Sequence, residues 1–269
     1  MRTSILIPYF NGDEYRYRNV VGVIEFCLNH IDSDTEVVLV EQNSVSDFSQ
    51  FKENIQFRYI KQITNKKFNK SLAWNYGFKQ TRGVNIVGID ADIIIPKEYI
   101  QSDLIEDSLK NSKLVYPFSS IVDMSDAEAR GFIKDESFID LINVDIQKNR
   151  LRSGTRCYGG IWYMSRATYV ELGGYDEGFK SWGGEDDCFA WIAIARYTQK
   201  NFKRLQETCY HLWHPHSNSQ EYINSQEYKD VQFHKAKIMR THNNTENSPK
   251  YCKKQMFMNG LVGHEKVMV

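Results

Sequence analysis

The densest group of chemically capable residues in this 269-residue sequence is the run Trp182-Gly183-Gly184-Glu185-Asp186-Asp187. The apolar stretch 188–195 follows at once and predicts a buried helix, so at least one of these carboxylates must lie near surroundings of low dielectric constant. Burial raises the pKa of a carboxylate and makes it a better proton acceptor near neutral pH. The glycines remove side-chain bulk, so a substrate can approach the backbone closely. The run therefore predicts one wall of a catalytic site.

A second acidic pair, Asp90 and Asp92, flanks a single alanine directly after the strand predicted over Asn85–Ile89. Two carboxylates at the exit of a buried strand can hold a divalent cation and a ribose hydroxyl together, and the cation would then bridge a diphosphate. An Asx-turn pair that caps the next helix is the alternative. The Asp-x-Asp pattern alone does not decide between them, but the buried strand before it favours the cation site.

Three of the seven histidines lie within residues 210–216. His211 and His214 can both reach one ion if the segment makes a turn. Imidazole ligands together with a carboxylate suit Mn²⁺ or a similar transition ion better than Mg²⁺, which prefers oxygen ligands. A surface histidine cluster, or histidines packed in the core, is the alternative.

Two glycine pairs, Gly159-Gly160 and Gly173-Gly174, lead toward the acidic run. Glycines serve turns as well as ligands, so one pair would mean little. Two pairs in this order suggest a wall shaped around a planar or sugar-like ligand, on which Trp182 could stack. Ordinary core packing of the tryptophan is the alternative.

The elements that must position these residues follow from the apolar pattern. Short apolar runs predict strands, and apolar residues at helix-like spacing predict helices. The predicted strands are Ser4–Pro8, Val37–Val40, Phe57–Ile60, Asn85–Ile89 and Gly159–Met164, and the predicted helices are Tyr15–His30, Ser71–Lys79, Ala167–Leu172, Glu185–Tyr197 and Glu221–Arg240. Strands that alternate with helices indicate an α/β fold with a mainly parallel sheet, whose ligands bind beyond the carboxyl ends of the strands. Residues 118–155 are polar and weakly periodic, and they predict a long excursion from a domain that spans 1–216; a helical extension spans 217–269.

Composition excludes several classes of protein. Lys plus Arg and Asp plus Glu both total 34, which argues against a nucleic-acid binder that works through a general basic field. No apolar run approaches the length of a transmembrane helix. The five cysteines are scattered and odd in number, so we expect a reduced, intracellular protein without a disulfide framework or a structural zinc site. There is no dinucleotide-binding glycine motif, no P-loop and no serine-hydrolase elbow.

The chain resembles nucleotide-sugar glycosyltransferases of the glycosyltransferase-A fold, and it is most similar to the β-1,4-galactosyltransferase and chondroitin-polymerase-like family. The likeness covers residues 1 to about 216, and the Trp182–Asp187 run is its most specific part. The other similar stretches, in matching order, are Ile5–Asn11, Val40–Gln42, Phe68–Lys70, Asn75–Phe78, Asp90–Asp92, Tyr158–Gly160 and Gly173–Tyr175. The resemblance implies a Rossmann-like mixed, mainly parallel sheet flanked by helices, and an inverting transfer from a UDP-sugar.

The resemblance also implies a role for each matched residue. Asp186 would be the general base, and Glu185 and Asp187 would position acceptor or donor hydroxyls. Asp92 and His214 would bind Mn²⁺ or another divalent cation, with His211 at a position where the animal enzymes carry a methionine ligand. The residues implied on the donor side are Pro8, Tyr9, Asn11 and Glu41 at the uridine, Lys70 at the diphosphate, Asp90 at the ribose or sugar, and Gly160 and Trp182 at the donor wall.

The partners implied are UDP-galactose or UDP-N-acetylgalactosamine and a glycan acceptor, with no nucleic acid. Cys157 stands where a bulky tyrosine favours galactose in the animal family, so we hypothesise that the larger N-acetylated sugar is also admitted. We expect a cytoplasmic enzyme of cell-envelope polysaccharide synthesis. Residues 235–240 are compatible with a peripheral contact to the inner face of the membrane. A nucleotidyltransferase and a nucleotide-sugar-binding pseudoenzyme are the alternatives.

Overall fold

The fold is a single mixed sheet flanked by helices, seen in a computed structural model that describes residues 1–64, 67–135, 150–153, 157–179, 183–197, 199–215 and 224–243. The strands are β1 (Thr3–Tyr9), β2 (Thr35–Gln42), β3 (Phe57–Gln62), β4 (Asn85–Ile89), β5 (Ile93–Ile94), β6 (Leu114–Asp123), β7 (Arg150–Ser153), β8 (Ile161–Ser165) and β9 (Phe202–His211). The helices are α1 (Glu14–His30), α2 (Lys70–Gln80), α3 (Ser102–Leu109), α4 (Asp126–Asp135), α5 (Arg166–Leu172), α6 (Glu185–Tyr197) and α7 (Gln226–Asn243).

The sheet has a parallel half and a mixed half. Its strand order is β3-β2-β1-β4-β8-β6-β9-β5, and β7 pairs with β6 outside this path. Strands β3, β2, β1 and β4 run parallel, whereas β8 is antiparallel to both β4 and β6. The mixed, mainly parallel α/β architecture expected from the sequence is therefore confirmed.

The parallel half is buried on both faces, which explains why its strands are continuous apolar runs. Every residue of β1 and β2 is buried, as expected for parallel strands covered by helices. Helix α1 begins after Asp13, whose side chain accepts a hydrogen bond from the backbone N–H of Arg16 (2.9 Å). It packs one apolar face against the sheet through Val20, Val23 and Cys27, at the spacing that the sequence indicates.

Four strands of the mixed half, β5, β6, β7 and β9, were not predicted. Residues 118–123, assigned to the polar excursion, form the second half of β6, and α4 follows within the same region. The prediction failed because Pro117 interrupts the strand pattern, and the pairing of β6 with β9 shifts register on both sides of Phe118 to accommodate it. Strand β9 was missed because it is largely polar and only partly buried. The rest of the excursion, 136–149 and 154–156, lies outside the described residues.

An aromatic cluster holds α6 and its acidic start against the sheet. The ring of Tyr175 stacks on Phe189 of α6, with centroids 4.2 Å apart, and on Trp74 of α2 at 5.7 Å. Trp162 of β8 lies against both Trp74 and Phe189. Because these large rings are all buried, they fix the position of α6 relative to α2 and β8.

Helix α7, in the predicted helical extension, packs against α6. His234 of α7 lies 3.0 Å from the buried carboxylate of Asp176, and Lys235 pairs with Asp187 at the start of α6. Val231 and Ile238 are buried at this contact. None of the helices in the described ranges has the length and hydropathy needed to cross a membrane.

The packing of Trp162 predicts a sharp difference between two glycines. Gly88 lies opposite Trp162 in the β4–β8 pairing, and a Cβ at Gly88 would stand 2.2 Å from the indole ring. We expect Gly88→Ala to lower the free energy of unfolding by about 1–3 kcal/mol, since the ring must shift within a packed core. Gly131 lies in α4 with nothing within 4 Å of its added Cβ, so the control Gly131→Ala should raise stability by up to about 1 kcal/mol. Urea denaturation measures both, and equal effects of the two substitutions would contradict this account.

Candidate functional site

Lys70 lies at the centre of an acidic cluster built from three separate segments. It is the first residue of α2, which begins after Asn69, whose side chain accepts from the backbone N–H of Leu72 (2.9 Å). Its Nζ lies 2.9 Å from Oδ1 of Asp90 and 3.1 Å from Oδ2 of Asp186. A third carboxylate, that of Glu185, is 3.8 Å away. Lys70 therefore joins the end of β4 to the start of α6.

Burial and nearby charges shift the pKa values of the groups in this cluster. Burial raises the pKa of Asp186 well above its ordinary value, and the nearby charge of Lys70 only partly offsets it. Burial also raises the pKa of Asp90. Burial alone would lower the pKa of Lys70, but Asp186, Asp90 and Glu185 hold it well above the usual range. Asp186 is therefore a carboxylate that can accept and release a proton closer to neutral pH than a solvated one can.

The glycine pair Gly159-Gly160 lies against both aspartates. Gly160 has a φ of +103° and donates its backbone N–H to Oδ2 of Asp90 (3.2 Å). A Cβ added to Gly159 would stand 2.8 Å from Oδ2 of Asp186. The first glycine therefore lets the backbone pack closely against Asp186, and the second lets the backbone reach Asp90.

Asp92, His211 and His214 form a group that could hold a metal ion. Oδ2 of Asp92 lies 3.1 Å from Nε2 of His214 and 3.7 Å from Nε2 of His211. One ligand atom from each residue lies within 4.8 Å of the others. The backbone explains this convergence, because β9 ends beside β5 and the N–H of Leu212 donates to the carbonyl of Asp92 (2.8 Å).

The donor chemistry of this group fits Mn²⁺. Both imidazoles turn Nε2 toward Asp92, while Nδ1 of His214 lies 2.9 Å from the Pro215 carbonyl oxygen. Burial would raise the pKa of Asp92, but His211 and His214 hold it well below the ordinary value, so the carboxylate is ionised. Burial would lower the pKa of His211, but Asp92 and Asp123 raise it to about 9, so a metal ion that binds at Nε2 would displace a proton from that nitrogen. One ionised carboxylate and two imidazoles match the mixed oxygen and nitrogen ligands of a transition ion.

The residues expected at the uridine differ in burial. Pro8 and Tyr9 end β1 and are buried. Asn11 lies at the surface of this edge, where its Nδ2 donates to Oγ of Ser46 (3.0 Å). Glu41 is fully buried, accepts from the backbone N–H of Ser46 (2.9 Å) and from the hydroxyl of Tyr59, and thus supports the Ser46 loop from beneath. Trp182, expected at the donor wall, lies outside the described residues.

Three side chains that sequence reasoning did not single out belong to this edge of the sheet. Phe10 and Phe68 stack with centroids 5.5 Å apart, and Phe10 remains 37% exposed. Both adjoin predicted site residues, so their proximity along the chain was a usable signal. Lys235 pairs with Asp187 from α7. No sequence signal joins that pair across 48 residues, and Asp187 thus faces α7 as well as the site.

Comparisons with known proteins show the family of the chain. Residues 4–171 match the family model described as glycosyl transferase family 2. Residues 143–215 match the model described as the N-terminal domain of galactosyltransferase. No curated protein matches the chain.

The fold is also similar to solved structures. One is glucosyl-3-phosphoglycerate synthase from Mycobacterium tuberculosis in complex with Mn²⁺, UDP and phosphoglyceric acid, at 12% identity and a TM-score of 0.53, covering 88% of this chain and 78% of that one. Another is S. aureus TarS, at 15% identity and a TM-score of 0.54, covering 99% of this chain and 46% of that one. At these identities the likeness shows the fold.

The raised pKa of Asp186 predicts a pH-dependent effect of Asp186→Asn. Above the ordinary aspartate pKa the native state holds a proton that the unfolded state has lost, so this group destabilises the native protein progressively as pH rises. Asparagine does not titrate, so the stability of the variant relative to the wild type should increase from pH 4 to pH 8, by up to about 1.4 kcal/mol per pH unit. Urea denaturation at several pH values measures this, with the exposed Asp103→Asn as the matched control. A difference that stays flat over this range would contradict it.

Proposed function

The chain belongs to glycosyl transferase family 2, and we propose that it transfers galactose or N-acetylgalactosamine from a UDP-sugar to a hydroxyl of a glycan acceptor, with inversion at the sugar. The observation that carries this proposal is the arrangement of two chemical groups around one Asp-x-Asp turn. Asp90 faces Lys70 and the buried Asp186, while Asp92 faces two imidazoles. A proton acceptor and a cation site thus share one edge of the sheet.

Asp186 is the proposed general base. Its buried carboxylate takes the proton of the acceptor hydroxyl as that oxygen forms its bond to the anomeric carbon of the donor. The bond between that carbon and the diphosphate oxygen breaks on the opposite side, and UDP leaves. Because Gly159 has no side chain, nothing at that position crowds Oδ2 of Asp186. Glu185 and Asp187 complete the acidic wall that orients the sugar hydroxyls.

Charge is the main requirement on the donor side. The acidic cluster would repel a diphosphate, and Lys70 is the ammonium placed to pair with it. Asp92, His211 and His214 would hold Mn²⁺, which when bound would neutralise the negative charge of the leaving diphosphate. UDP and Mn²⁺ are bound by the similar mycobacterial synthase, which supports this assignment. The exposed face of Phe10, stacked on Phe68, offers a platform for the uracil ring.

The galactose-type donor is supported by the galactosyltransferase match, which spans residues 143–215 and so includes the Gly159-Gly160 pair, the acidic run and both imidazoles. We place the enzyme in the cytoplasm, in synthesis of a cell-envelope glycan, with domain 1–216 as the catalytic unit. The extension that follows supports the acidic helix, since Lys235 pairs with Asp187. Phe233 and Lys237 of this extension are exposed and are compatible with a peripheral contact to the membrane.

The reaction is tested by release of UDP from UDP-galactose or UDP-N-acetylgalactosamine with Mn²⁺ and a mixture of sugar acceptors. We expect EDTA to abolish release and Asp186→Asn to lower kcat by about 100-fold or more, because the base is lost. Asp103→Asn, far from the site on α3, is the control. Consumption of UTP and a sugar phosphate instead would establish a nucleotidyltransferase, and binding of the UDP-sugar without turnover by any acceptor would favour a pseudoenzyme.

Donor selectivity is tested at Cys157. This half-buried residue stands before Tyr158 and the glycine pair, and its carbonyl accepts a hydrogen bond from Arg204 (2.9 Å), which fixes the backbone of the segment. We expect Cys157→Tyr to lower turnover of UDP-N-acetylgalactosamine at least about ten-fold relative to UDP-galactose, because the larger ring fills the space for the acetamido group. Cys157→Ser keeps the side chain small and is the control. Unchanged selectivity in Cys157→Tyr would remove the argument.

A further inference from the structure

His211 lies between two carboxylates that are supplied by neighbouring strands. It is the last residue of β9, which pairs with β5 on one side and with β6 on the other. Its Nε2 faces Asp92 at 3.7 Å, and its Nδ1 lies 3.0 Å from Oδ1 of Asp123. Asp123 is the last residue of β6 and stands directly opposite His211 in the parallel register.

The contact to Asp123 decides which ring nitrogen can bind a metal. A neutral imidazole carries one N–H and one lone pair, and a metal can use only the nitrogen with the lone pair. A carboxylate at Nδ1 holds the proton there and leaves Nε2 free on the side of Asp92. His214 is oriented in the same sense by the Pro215 carbonyl oxygen, so each imidazole of the group has an acceptor at Nδ1.

We propose that Asp123 is the positioning residue of the metal site: it fixes the tautomer and ring orientation of His211 and raises the affinity of the site for Mn²⁺. This inference rests on the proposed role of Asp92, His211 and His214. Carboxylates that bond the second nitrogen of a metal-binding histidine strengthen metal binding in this way.

Arg152 of β7 also contacts Asp123. Its Nη2 donates to the same Oδ1 of Asp123 at 2.7 Å. The guanidinium compensates the charge of Asp123, so that a second carboxylate can stand close to Asp92 without a large repulsive cost. The order of groups from β7 inward is thus guanidinium, carboxylate and imidazole, and it ends at the cation site.

The ion pair is not needed to hold the two strands together. Backbone pairing already joins β6 to β9 up to Asp123 and His211, and the N–H of Met124 donates to the His211 carbonyl (2.9 Å). A purely structural contact would therefore affect stability without a specific effect on metal affinity. This difference allows the two roles to be separated by experiment.

The test is a titration of the whole protein with Mn²⁺ alone, in which the electron paramagnetic resonance signal of the free hydrated ion reports binding. We expect Asp123→Asn to weaken binding about 10- to 100-fold, and Asp123→Ala to weaken it at least as much because it also removes the hydrogen-bond acceptor. Asp103→Asn, an exposed carboxylate on α3, is the matched control and should bind like the wild type. A thermal unfolding curve of each variant confirms that it is folded.

A double-mutant cycle with His211→Met identifies the route of the effect. Methionine has a single sulfur and no tautomer to fix, so Asp123→Asn should cause less than a two-fold further loss of Mn²⁺ affinity in that background. The same loss in both backgrounds would overturn the proposal, as would unchanged affinity of Asp123→Asn in the wild-type background. If Asp92→Ala leaves Mn²⁺ binding unchanged, the metal site itself is wrong and both proposals fall. Loss with Asp92→Ala but not with Asp123→Asn overturns this inference alone.

Discussion

Buried carboxylates repel one another, and in this protein that repulsion is balanced at Lys70. The ammonium lies within 4 Å of carboxylates directly after β4 and on α6, while Lys70 itself starts α2. Uncompensated charge is costly away from water, so the lysine lowers the cost of bringing these three elements together. Asn69 fixes the start of α2 and thus the position of Lys70, because it caps the helix and also donates to the Glu177 carbonyl (3.0 Å).

The two halves of the sheet contribute different parts of the chemistry. The parallel half supplies the edge with Asn11, Ser46 and Lys70, which suits a charged nucleotide. The mixed half supplies the glycine pair before β8, the imidazole of His211 at the end of β9 and that of His214 after it. Asp90 and Asp92 stand between the halves, so a shift of one residue in this turn would place Ala91 at one of the two positions and separate both carboxylates from their partners. The site depends on the register of β4 as much as on the identity of its residues.

The sequence was most informative where local pattern and tertiary environment agree. The apolar runs of β1, β2 and β4 predicted buried parallel strands, and the run after Asp187 predicted α6 with its observed bounds. Strands β6 and β9 were not predicted, although they form the parallel pair of the described mixed half. A proline, a register shift and polar residues obscure the alternation of apolar and polar residues that would indicate a strand. The convergence of Asp92 with two imidazoles was expected through family likeness, since spacing alone also allowed a surface cluster or histidines packed in the core. Contacts such as Asp123 with His211 and Lys235 with Asp187 depend on distant strands and helices, and no local pattern encodes them.

The docking of α7 affects the order in which the chain can fold during translation. Every strand of the described sheet precedes α7, so the sheet can assemble on the ribosome while the start of α6 still lacks Lys235 and the buried Asp176 still lacks His234. The last described helix to be synthesised thus covers an acidic surface that the nascent protein has already built. A nascent chain halted before residue 226 would carry a nearly finished sheet with that surface open to chaperones.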